Sequence, residues 1–325
     1  FQNCGYKMFF QQVGEDAERL SKIQDLTQAE YDALKSDRPG RSVMVWGKKV
    51  IILDADFGLA NDINVVNTFS LKNEEVSHNA KVFQTNIPHS YLYAEAADRF
   101  IRYLGNRKVV FLSHTPEEPD KRDFIGGLKE ELNRAHIAYH EIKFGNELNL
   151  LDQDSILADA SGIVFVPTSA KKKVLSLIVA PIESLKEKRA DLDIALFGYP
   201  EWLTQVPEYL NEFYKLNTYL YSRFYANPFE EDTKTFHKRF LYWYNKDMIN
   251  ASPQYALLGF DTGIYFLSAI REHGKNFASQ DIRPSIDRIQ TDFSFQRVNN
   301  WSGFINKSFY FINFTPNFTI RKIRE

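Results

Sequence analysis

A single cysteine, Cys4, stands in a chain of 325 residues. That scarcity excludes an internal disulfide and any metal site built on a cysteine cluster. It suits the cytosol and a Gram-negative periplasm equally. "QNCG" lacks the small residues that precede a bacterial lipoprotein cysteine, so lipidation at Cys4 is not expected. No run of about twenty apolar residues occurs, which argues against a membrane-spanning helix, and no signal peptide is evident. Excess charge of either sign is also missing. Lys and Arg number 40 against 42 Asp and Glu, so no basic footprint for nucleic acid is present. Catalytic signatures are equally scarce. "GNRKV" and "FIGG" are not phosphate loops, and there is no G-x-S-x-G nucleophile elbow. His89, His114, His136, His140, His237 and His273 form no metal-spaced pair. The chain is therefore expected not to be an enzyme and to need neither a cofactor nor a metal.

What is present is a regular alternation. "KKVIILDADFG" (48–58) reads as a buried strand, as do the runs around Val65 and Val82. "SYLYAEAADRFIRYLG" is a helix, "RKVVFLSH" a strand, "DKRDFIGGLKEELNRA" a helix and "IAYHEIKF" a strand. The same order continues through "SGIVFVPTS", "KKKVLSLIVAPIESLKEK", "LDIALFGYPEW", "VPEYLNEFYK" and "LNTYLYSRFY". Strands alternating with helices build parallel sheets. After Phe229 two helices follow one another. From Thr291 the tail reads as short antiparallel strands, "DFSFQRV", "SFYFINF" and "FTIRKI".

The second helix of that pair, "SPQYALLGFDTGIYFLSAIREHG", is apolar around most of its circumference. Ser252 and Pro253 suit its start and Gly274 its end. Leu257, Phe260, Ile264 and Leu267 recur at helical spacing. It reads as a core helix packed on two sides, with Gly259 and Gly263 allowing close approach. Asp261 inside it must be bonded, because an unpaired buried charge costs several kcal/mol.

The order of these elements resembles the type 1 periplasmic binding protein fold. "FGYPEWL" (197–203), "NTYLYSRFYANPF" (217–229), "YALLGFDTGIYFLSAIREHG" (255–274) and "FSFQRVNNWSGFINKSFYFINF" (293–314) are similar to segments of the binding-protein-like domain of Bacteroidetes envelope proteins. Those proteins often carry LysM peptidoglycan-binding modules; no LysM pattern occurs here. The resemblance covers roughly residues 60–323 and implies two α/β lobes joined by three crossings, with parallel sheets flanked by helices and a small antiparallel C-terminal β element. Residues 1–88 with 225–290 are expected to form lobe 1, and 89–224 with 291–325 lobe 2. The opening departs from the family pattern, so lobe 1 is expected to be reduced, or the chain to omit segments. The implied function is a non-catalytic solute-binding or sensing protein of the Gram-negative periplasm or envelope. Its ligand would be an amino acid, peptide or sugar held between the lobes. The other reading is an envelope scaffold that keeps the fold without ligand binding and meets a protein partner.

In α/β sheets ligands sit beyond the carboxyl ends of strands. That rule selects Thr68 and Ser70, His114, Thr168 and Ser169, and Tyr199, Glu201 and Trp202, with Tyr91 in the crossover helix. Hydroxyls and helix N-termini would supply adjustable hydrogen bonds, and Tyr199 or Trp202 a stacking face. Each has a plainer role. Thr168 and Ser169 suit helix caps, Trp202 the packing of a lobe edge, and His114 a turn.

Overall fold

The computed structural model describes residues 7–9, 17–19, 22, 26–35, 41–46, 49–54, 64–72, 74–115, 119–157, 160–274, 277 and 287–324. The chain forms two compact units, Phe1–Asn64 and Val65–Glu325.

In the first unit β1 (Lys7–Phe9), β2 (Arg41–Trp46) and β3 (Lys49–Asp54) make an antiparallel sheet in the order β1-β2-β3. Helix α1 (Gln28–Lys35) starts with a capping box. The Glu30 amide donates to Thr27 Oγ1 (3.5 Å) and the Thr27 amide to Glu30 Oε2 (2.7 Å). Of the strand expected at 48–58, Lys49–Asp54 forms and pairs antiparallel with β2, while 48 and 55–58 lie outside the described residues. Trp46 and Lys49 are register partners, and so short a connection can only close a hairpin, since a parallel pair needs a crossover of about a dozen residues or more.

The second unit holds two sheets. The larger has seven strands. Its parallel part comprises β6 (Lys108–His114), β7 (Tyr139–Phe144), β8 (Gly162–Pro167), β9 (Asp193–Phe197) and β10 (Thr218–Ser222). Helices α3 (Tyr93–Leu104), α4 (Arg122–Arg134), α5 (Asp154–Leu157), α6 (Lys172–Lys188) and α7 (Val206–Lys215) connect these strands. Two antiparallel strands, β13 (Tyr310–Thr315) and β14 (Thr319–Ile323), extend the β10 edge. The central strands are near-continuous apolar runs because helices cover both faces. Val109, Val110, Phe111, Ile163, Val164 and Phe165 are all fully buried.

The smaller sheet has the order β11-β12-β5-β4. Its strands, β4 (Val65–Asn67), β5 (Val82–Gln84), β11 (Phe295–Arg297) and β12 (Phe304–Asn306), have three residues each. Helices α2 (Glu74–His78), α8 (Glu231–Tyr244) and α9 (Tyr255–His273) complete this lobe. Phe83 organises its core: it stacks on Phe304 at 4.6 Å and meets the edge of Phe266 at 5.2 Å. Gly303 is required where β12 approaches β5, because a Cβ there would lie 2.3 Å from the Val82 carbonyl oxygen.

This is the two-lobed α/β arrangement expected, with parallel-dominated sheets and an antiparallel C-terminal element. Two details differ. The tail does not stay together. β13 and β14 join the larger sheet, whereas β11 and β12 join the smaller one through the parallel pairing of β12 with β5. The strand Phe304–Asn306 was not anticipated from "SGFINK", since three residues carry too little periodicity. Helix α9 is also less enclosed than expected. Leu267 and Ile270 are exposed, and a Cβ on Gly263 would meet no neighbour, so that glycine does not serve close packing.

Three crossings join the lobes, after β5, after β10 and between β12 and β13. They are bonded to one another. Arg223 Nη1 donates to the Ile87 carbonyl (3.1 Å), Asn306 Nδ2 to the Thr85 carbonyl (3.3 Å) and Ser308 Oγ to the Arg223 carbonyl (3.4 Å).

Candidate functional site between the lobes

The carboxyl ends of β6, β8, β9 and β10 lie along one edge of the larger sheet, and residues selected from sequence end or follow β6, β8 and β9 there. His114 ends β6, is buried beside Phe144, and neither ring nitrogen has a partner. Thr168 and Ser169 follow β8 and are buried. The Thr168 hydroxyl donates to the Leu112 carbonyl (3.4 Å), and Ser169 Oγ accepts the Lys171 amide (3.2 Å). Their hydroxyls thus bond to backbone groups, but neither caps α6, whose N-cap position is Lys171 with no side-chain cap bond.

The residues after β9 behave differently from the stacking role considered for them. Tyr199 and Trp202 have no exposed surface. The Tyr199 hydroxyl donates to the Pro167 carbonyl (2.5 Å), and burial pushes its phenol well above the ordinary range. Trp202 Nε1 donates to the Ala170 carbonyl (2.9 Å) and its ring stacks on Phe213. Neither can offer a face to a ligand in this structure. The local reason is Gly198, where a Cβ would fall 2.2 Å from the Trp202 ring. The missing side chain lets the indole fold inward.

Glu201 remains at the edge, with one oxygen bonded to Lys121 Nζ and the other, Oε2, buried without a partner. Lys121, itself buried, also lies over the Tyr199 ring. His89, at the first crossing, faces this pair. Burial lowers its pKa; Glu201 opposes that shift, while Lys121 and Arg223 add to it.

From the smaller lobe, Thr68 and Ser70 follow β4 as expected. The Thr68 carbonyl accepts the Thr85 hydroxyl (2.7 Å), and Ser70 Oγ accepts the Lys72 amide (3.1 Å). Tyr91 is exposed in a short 3₁₀ turn, with Lys307 Nζ 5.9 Å from its ring centre.

The cavity between the lobes lies elsewhere, at the second crossing. It has a volume of about 120 Å³. Leu203, Val206 and Pro207 line it from the larger lobe, Phe224 and Tyr225 from the crossing, and Thr233, His237, Gln254 and Gln290 from the smaller lobe. Asn250 Nδ2 donates to the Thr204 carbonyl (2.9 Å) beside it, holding the two lobes together there. Three polar atoms of the lining are buried without partners: Tyr225 Oη, Thr233 Oγ1 and Gln254 Oε1. Burial holds the Tyr225 phenol far above its ordinary pKa, so the hydroxyl stays protonated.

The far wall is tied down from behind. Gln290 Oε1 accepts the Gln254 amide (2.8 Å), and the Gln290 carbonyl accepts the Tyr225 amide (2.9 Å). Gln290 is in turn fixed by Asp261, the carboxylate inside α9. Its Oδ1 accepts the Ile289 amide (2.8 Å) and its Oδ2 the amides of Gln290 (2.7 Å) and Thr291 (3.0 Å). Burial raises the Asp261 pKa and the three amides oppose it.

Tyr225, Thr233 and Gln254 were not among the residues selected from sequence. Tyr225 lies just past the end of β10, so the carboxyl-end rule applies to it too. In sequence "LNTYLYSRFY" reads as one unbroken strand that would include Tyr225, whereas β10 stops at Ser222. Among the described residues no group of His, Cys, Asp and Glu could hold a metal, and no helix is long and apolar enough to cross a membrane.

No protein-family model matches the chain, and no curated protein matches it. Solved structures similar to it include the branched-chain amino acid transporter substrate-binding protein LivJ from Streptococcus pneumoniae in complex with isoleucine. That pair has a TM-score of 0.45 and 14% identity over 81% of this chain and 73% of LivJ. The leucine-binding protein LivK from Thermotoga maritima gives 0.44 and 12%, over 80% and 72%. A solute-binding protein from R. palustris in complex with benzoate gives 0.44 and 12%, over 80% and 69%.

Proposed function

We propose that this chain is a non-catalytic solute-binding or sensing protein of the bacterial envelope, and that its solute occupies the cavity between the lobes at the second crossing. The observation that carries the reading is that three residues lining one cavity, Tyr225, Thr233 and Gln254, each hold a buried side-chain oxygen without a partner: Oη, Oγ1 and Oε1. A buried polar atom without a hydrogen bond costs about 1–3 kcal/mol, which a bound polar molecule would recover. At about 30 Å³ per water, a cavity of about 120 Å³ holds on the order of four waters or a small solute. Among the described residues no Lys, Arg, Asp or Glu lines it. A charged amino acid backbone would be left uncompensated there. The lining therefore favours an uncharged hydroxylated solute, a polyol or one end of a sugar, over an amino acid or peptide. The amide oxygen of Gln254 accepts a donor from it, and each hydroxyl can donate or accept. Because the lining comes from both lobes and the crossing, occupancy would favour the closed arrangement.

Calorimetry with glycerol, erythritol and glucose as probes tests this. At least one should bind. Tyr225→Phe with Thr233→Val, which keeps shape and removes two hydroxyls, should weaken it by about 10- to 30-fold, at roughly 1 kcal/mol per hydrogen bond. Absence of binding for all three probes, or unchanged affinity in the double variant, would reject the site.

A second reading has its own observation. Every strand of the smaller sheet has only three residues, a slight jaw for a clamp. An envelope scaffold that keeps the two-lobed frame for a protein partner is what the absence of probe binding would leave.

A further inference from the structure

Helix α8 is almost entirely exposed: of its fourteen residues only Thr233 is buried. An amphipathic helix ordinarily hides its apolar stripe. Here the stripe faces a groove of about 720 Å³ between α8 and α9, lined from α8 by Asp232, Thr235, Phe236, Arg239, Phe240, Trp243 and Tyr244, with Phe236 packed against Phe260 of α9. The spacing is that of a helix–helix seam, with positions three and four apart along one face. Aromatic rings dominate it, and Trp243 and Tyr244 are 75% and 63% exposed. Phe229, just before the helix, is 53% exposed. So many exposed aromatics on one short element mark an interaction surface.

The charges on the seam say what covers it. Asp232 and Arg239 of α8 line the groove together with Asp287 of the facing segment; the two α8 charges lie two turns of helix apart, and neither forms an ion pair with any described residue. An acid and a base spaced in this way on one face are complementary to the same face turned end for end. A two-fold axis across α8 between Thr235 and Phe236 sets Asp232 against Arg239 of the partner subunit, and Arg239 against the partner subunit's Asp232. The same axis pairs position 229 with position 242, so that exposed Phe229 meets the partner's Tyr242 and Tyr242 the partner's Phe229. One operation thus pairs both charges and covers the exposed aromatics, as an isologous interface requires.

We propose that α8 is a homodimerisation helix, packing antiparallel against α8 of a second copy with reciprocal Asp232–Arg239 pairs. This contact is separate from the cavity between the lobes and does not depend on solute binding.

Sedimentation velocity on the full chain over a concentration series tests it, with circular dichroism to confirm that each variant is folded. The wild-type chain should dimerise. Asp232→Arg and Arg239→Asp, each turning two attractions into two repulsions, should weaken the dimer about tenfold or more. The double variant Asp232→Arg/Arg239→Asp restores opposite signs across the axis and should restore dimerisation. A Thr235→Cys variant in a Cys4→Ser background, with the new thiol beside the axis, should give a disulfide-linked dimer on oxidation. A wild-type chain that stays monomeric at the highest concentration would overturn the proposal and leave the groove to a different partner. Single reversals without effect, or a double variant that fails to recover, would overturn it equally.

Discussion

Replacing Asp261 by alanine should destabilise the smaller lobe by about 3–6 kcal/mol. The figure follows from its three hydrogen bonds. Asp261 is fully buried, and its carboxylate accepts the amides of Ile289, Gln290 and Thr291 at 2.7–3.0 Å. Alanine would leave those donors facing an empty space that no other side chain fills. The Gln290 and Thr291 amides belong to buried residues, and each stranded donor costs about 1–3 kcal/mol. Ile289 is partly exposed, so water can recover some of its share. Against a total stability of about 5–15 kcal/mol for a domain, the loss is large. Asparagine keeps one accepting oxygen but turns an amino group towards the remaining donors, so its cost should fall between wild type and alanine. Urea denaturation followed by tryptophan fluorescence and far-ultraviolet circular dichroism measures both variants, with hydrogen exchange at residues 287–291 to localise the change. The effect should extend to the cavity, since Gln290 holds Gln254 and Tyr225 in place. A loss below about 1 kcal/mol for alanine would refute the reasoning, because that is less than one stranded amide.

Two further outcomes are expected. Trp202→Ala should cost about 3–5 kcal/mol of stability in the larger lobe, as for a buried aromatic replaced by alanine, and leave probe affinity nearly unchanged. A loss of affinity without a loss of stability would return Trp202 to the ligand site. The stability of the wild-type chain should also decline as pH falls below the ordinary histidine range. His89 has its folded pKa lowered, chiefly by burial, so the unfolded chain takes up that proton first. The stability is complete above the unfolded pKa and is lost as pH drops from there towards the folded one, with a slope of at most about 1.4 kcal/mol per pH unit for one proton. Urea midpoints for wild type and His89→Gln between pH 7.5 and 5.5 check it. Parallel curves would show that His89 contributes nothing.

The local code alone determined the elements between Tyr93 and Ser222. Strands such as "KVVFLSH" and "GIVFVP" are apolar on both faces because helices cover them, and the helices between carry a single apolar stripe. That alternation implies a parallel sheet, and a parallel sheet places candidate residues at its carboxyl ends. Thr168, Ser169 and Glu201 were found there for that reason. Whether a side chain at that edge turns outward or inward is not local information. Trp202 is drawn into the core by the absent side chain of Gly198 and by a carbonyl at Ala170, contacts that no periodicity encodes. The division of the tail between two sheets depends on β12 pairing with β5, more than two hundred residues earlier in the chain. The cavity is the clearest case. Tyr225, Thr233 and Gln254 come from a crossing, a helix and a helix cap. Each is unremarkable in its own segment, and only the packing of the two lobes around the second crossing removes water from all three at once.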